Sequence, residues 1–181
     1  MTKRTLLILA TATLLVMGGL GLLIVPWSRG VSAIRFLSQG WVWWQQLLIG
    51  LLVGWLLASI ALWIIQMPYL KKVNAFFGEL FKSFNLSLFD IFWISICAGI
   101  GEEMFFRGAI QPYLGIALTS FLFVLLHGYI NPFNRPLTAY GLFMVLAIGL
   151  LGVMTEEIGI ISAITAHAMI DFILLMRLAR D

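Results

Sequence analysis

The chain has two histidines, His127 and His167, and both fall inside long apolar stretches. A third such stretch holds Glu102, Glu103 and Arg107 in the run Gly-Glu-Glu-Met-Phe-Phe-Arg-Gly, and Asp171 follows His167 by four residues. A charge at the centre of a bilayer costs about 2.5–3.5 kcal/mol on insertion scales, so each of these groups needs a partner or a task. Glu103 and Arg107, four apart, share a helix face and can neutralise one another. Glu102 projects about 100° away from Glu103 around the helix and has no partner on its own helix. His167 and Asp171 also share a face, and if it turns into a bundle interior, Glu102 and His127 can meet it. Two readings are open at this point: a buried polar network that joins three helices, or a site that activates water.

The other acids carry less. Asp90 sits near a helix start, where it suits an interfacial contact or an N-terminal charge. Glu156 and Glu157 read as part of a solvated turn.

Composition says what surrounds these groups. The 181 residues are 62% hydrophobic and 10% charged, against about 45–50% and about 25% in an ordinary soluble domain. With a mean hydropathy of +1.05 there is too little polar surface to solvate a compact fold in water, so the solvent for most of the chain is lipid. The sequence pI of 9.3 does not point to nucleic acid, because the excess is three charges and no basic run exceeds two residues. Cys97 is alone, so one chain forms neither a disulfide nor a paired-cysteine metal site.

Windows poor in charge, each able to hold the roughly 20 residues of a spanning helix, place helices over about 5–25, 42–66, 88–108, 113–130, 137–153 and 158–177. Helices are required because an open strand in lipid leaves its backbone unpaired, and the alternation of a membrane barrel is absent. The expected class is an all-α membrane bundle of about six spans around a polar cavity. Its first segment is too long for a signal-peptide core and reads as a retained helix. Trp41, Trp43 and Trp44 read as an interfacial belt. With both termini cytoplasmic, the inner loops carry Lys3, Arg4, Lys71, Lys72, Lys82, Arg135, Arg177 and Arg180, and the outer ones Arg29 and Arg35.

Glu102-Glu103-x-x-x-Arg107, Phe123-x-x-x-His127 and His167-x-x-x-Asp171, in this order on successive apolar segments, resemble the three signature motifs of the CPBP family of intramembrane proteases. That family includes the type II CAAX prenyl endopeptidases and bacterial proteins tied to bacteriocin processing or self-immunity. The resemblance covers roughly residues 88–178 and divides the chain into an N-terminal transmembrane hairpin with a cytoplasmic loop (1–82) and a protease core (83–181).

The resemblance implies an intramembrane endopeptidase, in a bacterial plasma membrane, acting on a membrane-embedded or lipid-modified peptide. Glu102 would be the general base, orienting a water together with His127, while His167 and Asp171 would face the carbonyl oxygen. Glu103 with Arg107 would stand behind them and hold Glu102 towards the cavity. The last motif departs from the version ending in Asn. An ionised Asp cannot donate to an oxyanion, so Asp171 must be protonated, orient His167, or bind something else.

Glu102, His127, His167 and Asp171 also make a donor set of the kind that holds zinc, which keeps a metalloprotease alternative beside the metal-free one. Two further classes remain open, a self-immunity or scaffolding protein and a small transporter. One geometric conflict stands out. If the chain reverses near Gln111, straight helices put Glu102 and His127 at depths differing by roughly 10 Å. Tilt or an unwound segment would have to close that gap, and Gly99, Gly101, Gly108 and Pro112 are candidates for bending or for close helix approach.

Overall fold

The computed structural model describes residues 2–180. Helices dominate them, and no strand occurs among the described residues. In chain order they are α1 (Lys3–Arg29), the short α2 (Ala33–Ser38), α3 (Trp43–Ile65), α4 (Lys71–Lys82), the 39-residue run α5 (Leu88–Leu126), α6 (Arg135–Glu157) and α7 (Ile160–Arg180). All except α2 and α4 are long and apolar enough to cross a membrane.

The expected cytoplasmic loop is the amphipathic α4, which presses Val73 and Phe77 against the main core and leaves its lysines outside. The short fifth span expected over 137–153 extends to a full Arg135–Glu157 helix. The third and fourth expected spans form one helical run that reverses at Gly115, whose φ of 71° and ψ of 170° belong to glycine alone. The chain therefore crosses in a long limb over 88–114 and comes back in a shorter one over 116–126.

This removes the depth conflict. Glu102 lies thirteen residues before Gly115 and His127 twelve residues after it, so the two reach the same level. The expected reversal near Gln111 lies about one helical turn before the observed one. Gln111 instead continues the helix and turns its amide inward.

Small residues let the helices touch. Gly50, Gly54, Ala58 and Ala61 are buried on one face of α3, and its glycines lie against Ser162, Thr165 and Ala166 of α7. A Cβ on Gly101 would stand 2.6 Å from the Thr13 carbonyl oxygen of α1, and one on Gly99 would stand 2.8 Å from that of Ile164 in α7. The glycines of the first motif thus serve close approach rather than bending, and they clamp its helix between α1 and α7.

Leu6 packs with Phe84, Ile91, Leu175 and Ala179, so both chain ends lie at one end of the bundle. There Ser87 and Asp90 form a reciprocal cap at the start of α5, and Lys3 pairs with Asp90. At the opposite end Arg29 binds Glu156 through both oxygens, at 2.7 and 2.8 Å. Glu156 also accepts from the Gln111 amide at 2.6 Å, which corrects the reading of this acid as a merely solvated turn residue. It closes α6 and ties it to α1 and α5.

Candidate active site

The first motif occupies the middle of the long limb of α5. Glu103 and Arg107 are both fully buried and paired at 2.8 Å, as their spacing demands. The guanidinium also donates to Gln111 Oε1 at 3.3 Å and to the Ile148 carbonyl of α6 at 3.2 Å, so its hydrogen-bonding groups are served without water. From Met104 to Ile110 the helix is wound as a π turn. Such an inserted residue re-aims the side chains on either side of it and recurs at functional sites.

The second oxygen of Glu103 accepts from His167 Nδ1 at 2.9 Å. Spacing within the sequence gave Glu103 the task of balancing Arg107, and the structure adds the orientation of a histidine 64 residues away. It also narrows the role of Asp171. The Nδ1 edge of His167 belongs to Glu103, and Asp171 stands 3.6 Å from the other edge, Nε2.

His127 ends the short limb of α5. Its Nδ1 faces the Phe123 carbonyl at 2.7 Å, and a carbonyl only accepts, so Nδ1 carries the proton. The Phe123 ring explains the rest of that motif. It stacks on His127 with centroids 4.3 Å apart, meets His167 edge-on at 5.6 Å and lies under the Arg107 guanidinium. The sequence flagged Phe123 only as part of a pattern, because an apolar ring in an apolar helix gives no separate signal.

With both Nδ1 atoms engaged, both Nε2 atoms point to one place. His127 Nε2 is 3.4 Å and His167 Nε2 3.9 Å from Glu102 Oε2. That oxygen is buried and has no hydrogen-bond partner. Three acceptors facing one point, on neutral rings, require protons from elsewhere: from a water, or from protonation of a ring. The four groups singled out in the sequence, Glu102, His127, His167 and Asp171, therefore do assemble, from α5 and α7.

Beside them a cavity of about 240 Å³ reaches Asp171, with Tyr129 and Tyr140 on its polar side and Phe77, Phe81 and Ile94 on its apolar side. Burial, with the charges of Asp171 and Glu102, pushes the Tyr129 phenol up to about 12, so it lines the cavity as a hydroxyl. Neither tyrosine stood out in the sequence.

The donor chemistry of the four groups suits zinc, and the Nδ1 contacts have the form that orients histidine ligands. Their nearest donor atoms lie 3.4, 3.6 and 3.9 Å apart, beside the about 3.3 Å between tetrahedral ligands at about 2.0–2.1 Å from a metal. Among the described residues no three His, Cys, Asp or Glu side chains converge as a metal ligand set.

The match of one segment to a family model supports, in general, a CAAX-type intramembrane protease. Residues 84–173 match the family described as type II CAAX prenyl endopeptidase Rce1-like, which this segment resembles. No curated protein and no solved structure matches the chain. The five apolar helices and the family together mark an integral membrane protein.

Proposed function

We propose that this protein is an intramembrane endopeptidase that hydrolyses a peptide bond in a membrane-associated or C-terminal CAAX-like substrate, using a water activated by Glu102 and His127. The observation that carries the reading is the buried Oε2 of Glu102, 3.4 and 3.9 Å from the Nε2 atoms of two histidines whose other nitrogens are already engaged.

A water there donates one proton towards Glu102 and the other to His127 Nε2, leaving a lone pair for the scissile carbonyl carbon. As its oxygen attacks, one proton passes to Glu102 and the carbonyl oxygen becomes an oxyanion. His167, protonated on Nε2 and held by Glu103, donates to that oxyanion. Collapse breaks the C–N bond, and Glu102 returns its proton to the leaving amine. Asp171, ionised, cannot itself donate, and its place by Nε2 suits it to hold the His167 proton in position. Glu103 and Arg107 are positioning residues in this scheme.

This reading keeps an N-terminal hairpin over 1–82 and a protease core over 83–181, the family match spanning 84–173 of the second. The cytoplasmic side is the end bearing both termini, where the bases concentrate.

The test compares membranes carrying wild-type protein with membranes carrying Glu102→Gln at matched abundance, with new peptide termini read by mass spectrometry. Termini present only with wild type identify a protease, and the cut sites name its substrates. Coincident profiles with a surviving protective phenotype would favour the self-immunity reading instead.

A further inference from the structure

At the end of the bundle that holds both termini, the start of α4 and the connection from α5 to α6 enclose a pocket of about 900 Å³. Lys72 and Arg135 are the charged side chains on its walls, and no acid lines it. Among the described residues neither base has an ion-pair or hydrogen-bond partner. A base at a membrane surface is ordinarily a topology signal. Two around one concavity, with nothing on its walls to neutralise either, make a place for an anion.

The neutral groups of the same walls agree with that polarity. Asn131 Oδ1 accepts from the Phe133 N–H at 2.9 Å, and Asn134 Oδ1 accepts from the Leu137 N–H at 3.1 Å. A backbone N–H only donates, so these bonds fix which end of each amide is used and leave both NH2 groups as donors. The Asn131 carbonyl is taken as well, by the Thr138 hydroxyl at 2.6 Å. Around the mouth, Tyr69, Phe76 and Phe133 are 60%, 61% and 97% exposed. In a chain solvated by lipid, aromatic rings so placed meet headgroups and acyl chains.

The occupant must therefore join an anionic head to an apolar tail. Inorganic phosphate lacks the tail. A zwitterionic phospholipid brings a cation of its own, and no acid on these walls receives it. A phospholipid of net negative charge, such as phosphatidylglycerol, meets both conditions.

We propose that this pocket binds the phosphate headgroup of an anionic phospholipid between Lys72 of α4 and Arg135 of α6, with the acyl chains against Phe76 and Phe133. The site does not depend on the proteolytic reading, although it adjoins the candidate active site. Phe77 belongs to its wall and to that of the cavity reaching Asp171, and the Phe77 ring lies 5.9 Å from that of Tyr129. A lipid held there joins the amphipathic α4 to the first turn of α6.

The experiment places the full chain in nanodiscs of phosphatidylcholine and phosphatidylglycerol at a three-to-one ratio and counts the lipids it retains by native mass spectrometry. Wild type is expected to retain phosphatidylglycerol about tenfold or more above its share of the bilayer. Lys72→Gln with Arg135→Gln, both at exposed positions, should bring retention down to that share. Arg4→Gln with Lys82→Gln removes the same charge from the same end of the bundle outside the pocket and should leave the enrichment intact. The unfolding temperature of wild type should rise by about 3 °C or more when phosphatidylglycerol replaces part of the phosphatidylcholine, and that of the pocket variant should not.

Equal retention of the two lipids by wild type overturns the proposal, as does enrichment that survives in the pocket variant. Equal loss of enrichment in both variants overturns it too, since diffuse surface charge would then account for the binding. If inorganic phosphate or glycerol phosphate gives the same thermal gain in pure phosphatidylcholine nanodiscs, the pocket is an anion site without a lipid, and the proposal falls.

Discussion

His167 Nδ1 lies 2.9 Å from Glu103 Oε1, on the edge of the ring opposite the one that faces Glu102. Two adjacent glutamates of one helix thus address the two edges of a histidine on another. The same Glu103 balances Arg107, so its fully buried carboxylate joins an ion pair and an oriented ring. Removing it has two effects, and they can be separated.

Glu103→Gln strands the buried guanidinium of Arg107, and breaking a buried pair in this way costs about 3–5 kcal/mol. Protein yield and thermal unfolding temperature in detergent should both drop. Replacing both partners, Glu103→Gln with Arg107→Gln, should recover much of the stability, yet activity should stay at least about 100-fold down because His167 has lost its orienting carboxylate. Recovery of activity together with stability would reduce Glu103 to an ion-pair partner.

Glu102→Gln should behave in the opposite way. The amide fills the same space with no buried charge to strand, so stability should stay near wild type while turnover falls by about 100-fold to 10,000-fold, the range for losing a general base. Equal losses of yield in the Glu102 and Glu103 variants would contradict the division of labour between them.

Gly115→Ala places a Cβ on a backbone at φ 71°, ψ 170°, a strain of about 1–3 kcal/mol. Relief of that strain shifts the short limb against the long one and pulls His127 away from Glu102, so the loss of kcat should exceed what the loss of stability explains. Gly19→Ala is the control, because Gly19 is helical with open space around its Cβ position. Similar effects at the two positions would show that the reversal at Gly115 does not set the site.

Metal chelation provides a further check. If the water is activated by Glu102 and His127 alone, prolonged treatment of the membrane protein with 1,10-phenanthroline leaves peptide cleavage unchanged. Loss of cleavage that returns on adding zinc would convert the same four side chains into a ligand set.

Glu156→Gln tests the clasp at the far end of the bundle. This carboxylate is 39% exposed and its pair with Arg29 is partly screened, so the change should cost about 1 kcal/mol or less. Activity should stay within a few-fold of wild type. A large loss would tie the α1–α6 contact to the chemistry.

Much of this was legible in the residues. Interior charges in so apolar a chain are expensive, so Glu102, Glu103, Arg107, His127, His167 and Asp171 stood out, and four-residue spacing named the Glu103–Arg107 pair before any fold was known. Contacts across long stretches of sequence were not legible. Nothing in local spacing tells that Glu103 reaches His167 or that Arg29 reaches Glu156, 127 residues away. The amides Gln111 and Gln46 carry a weaker signal of the same kind, a polar side chain in an apolar run. Gln46 donates to the carbonyls of Gln39 and Trp41 and accepts from the backbone of Ile161. Pro112 offers a competing break near Gln111, but it sits inside the continuous run, and the Gly108 carbonyl four residues before it accepts from Ser28 Oγ at 2.8 Å.

The short limb after Gly115 has a consequence for hydration. Over 116–126 it rises only about 16 Å, roughly half of a 30 Å hydrocarbon layer. Its C-terminal carbonyls and the irregular backbone that follows therefore come at a depth where lipid can satisfy neither, so this part of the chain must be lined by protein or wet. Hydrolysis inside a membrane depends on delivering the scarcest reactant there. The half-length helix that sets His127 level with Glu102 also brings a helix end, with its polar backbone, to the depth where that reactant is needed.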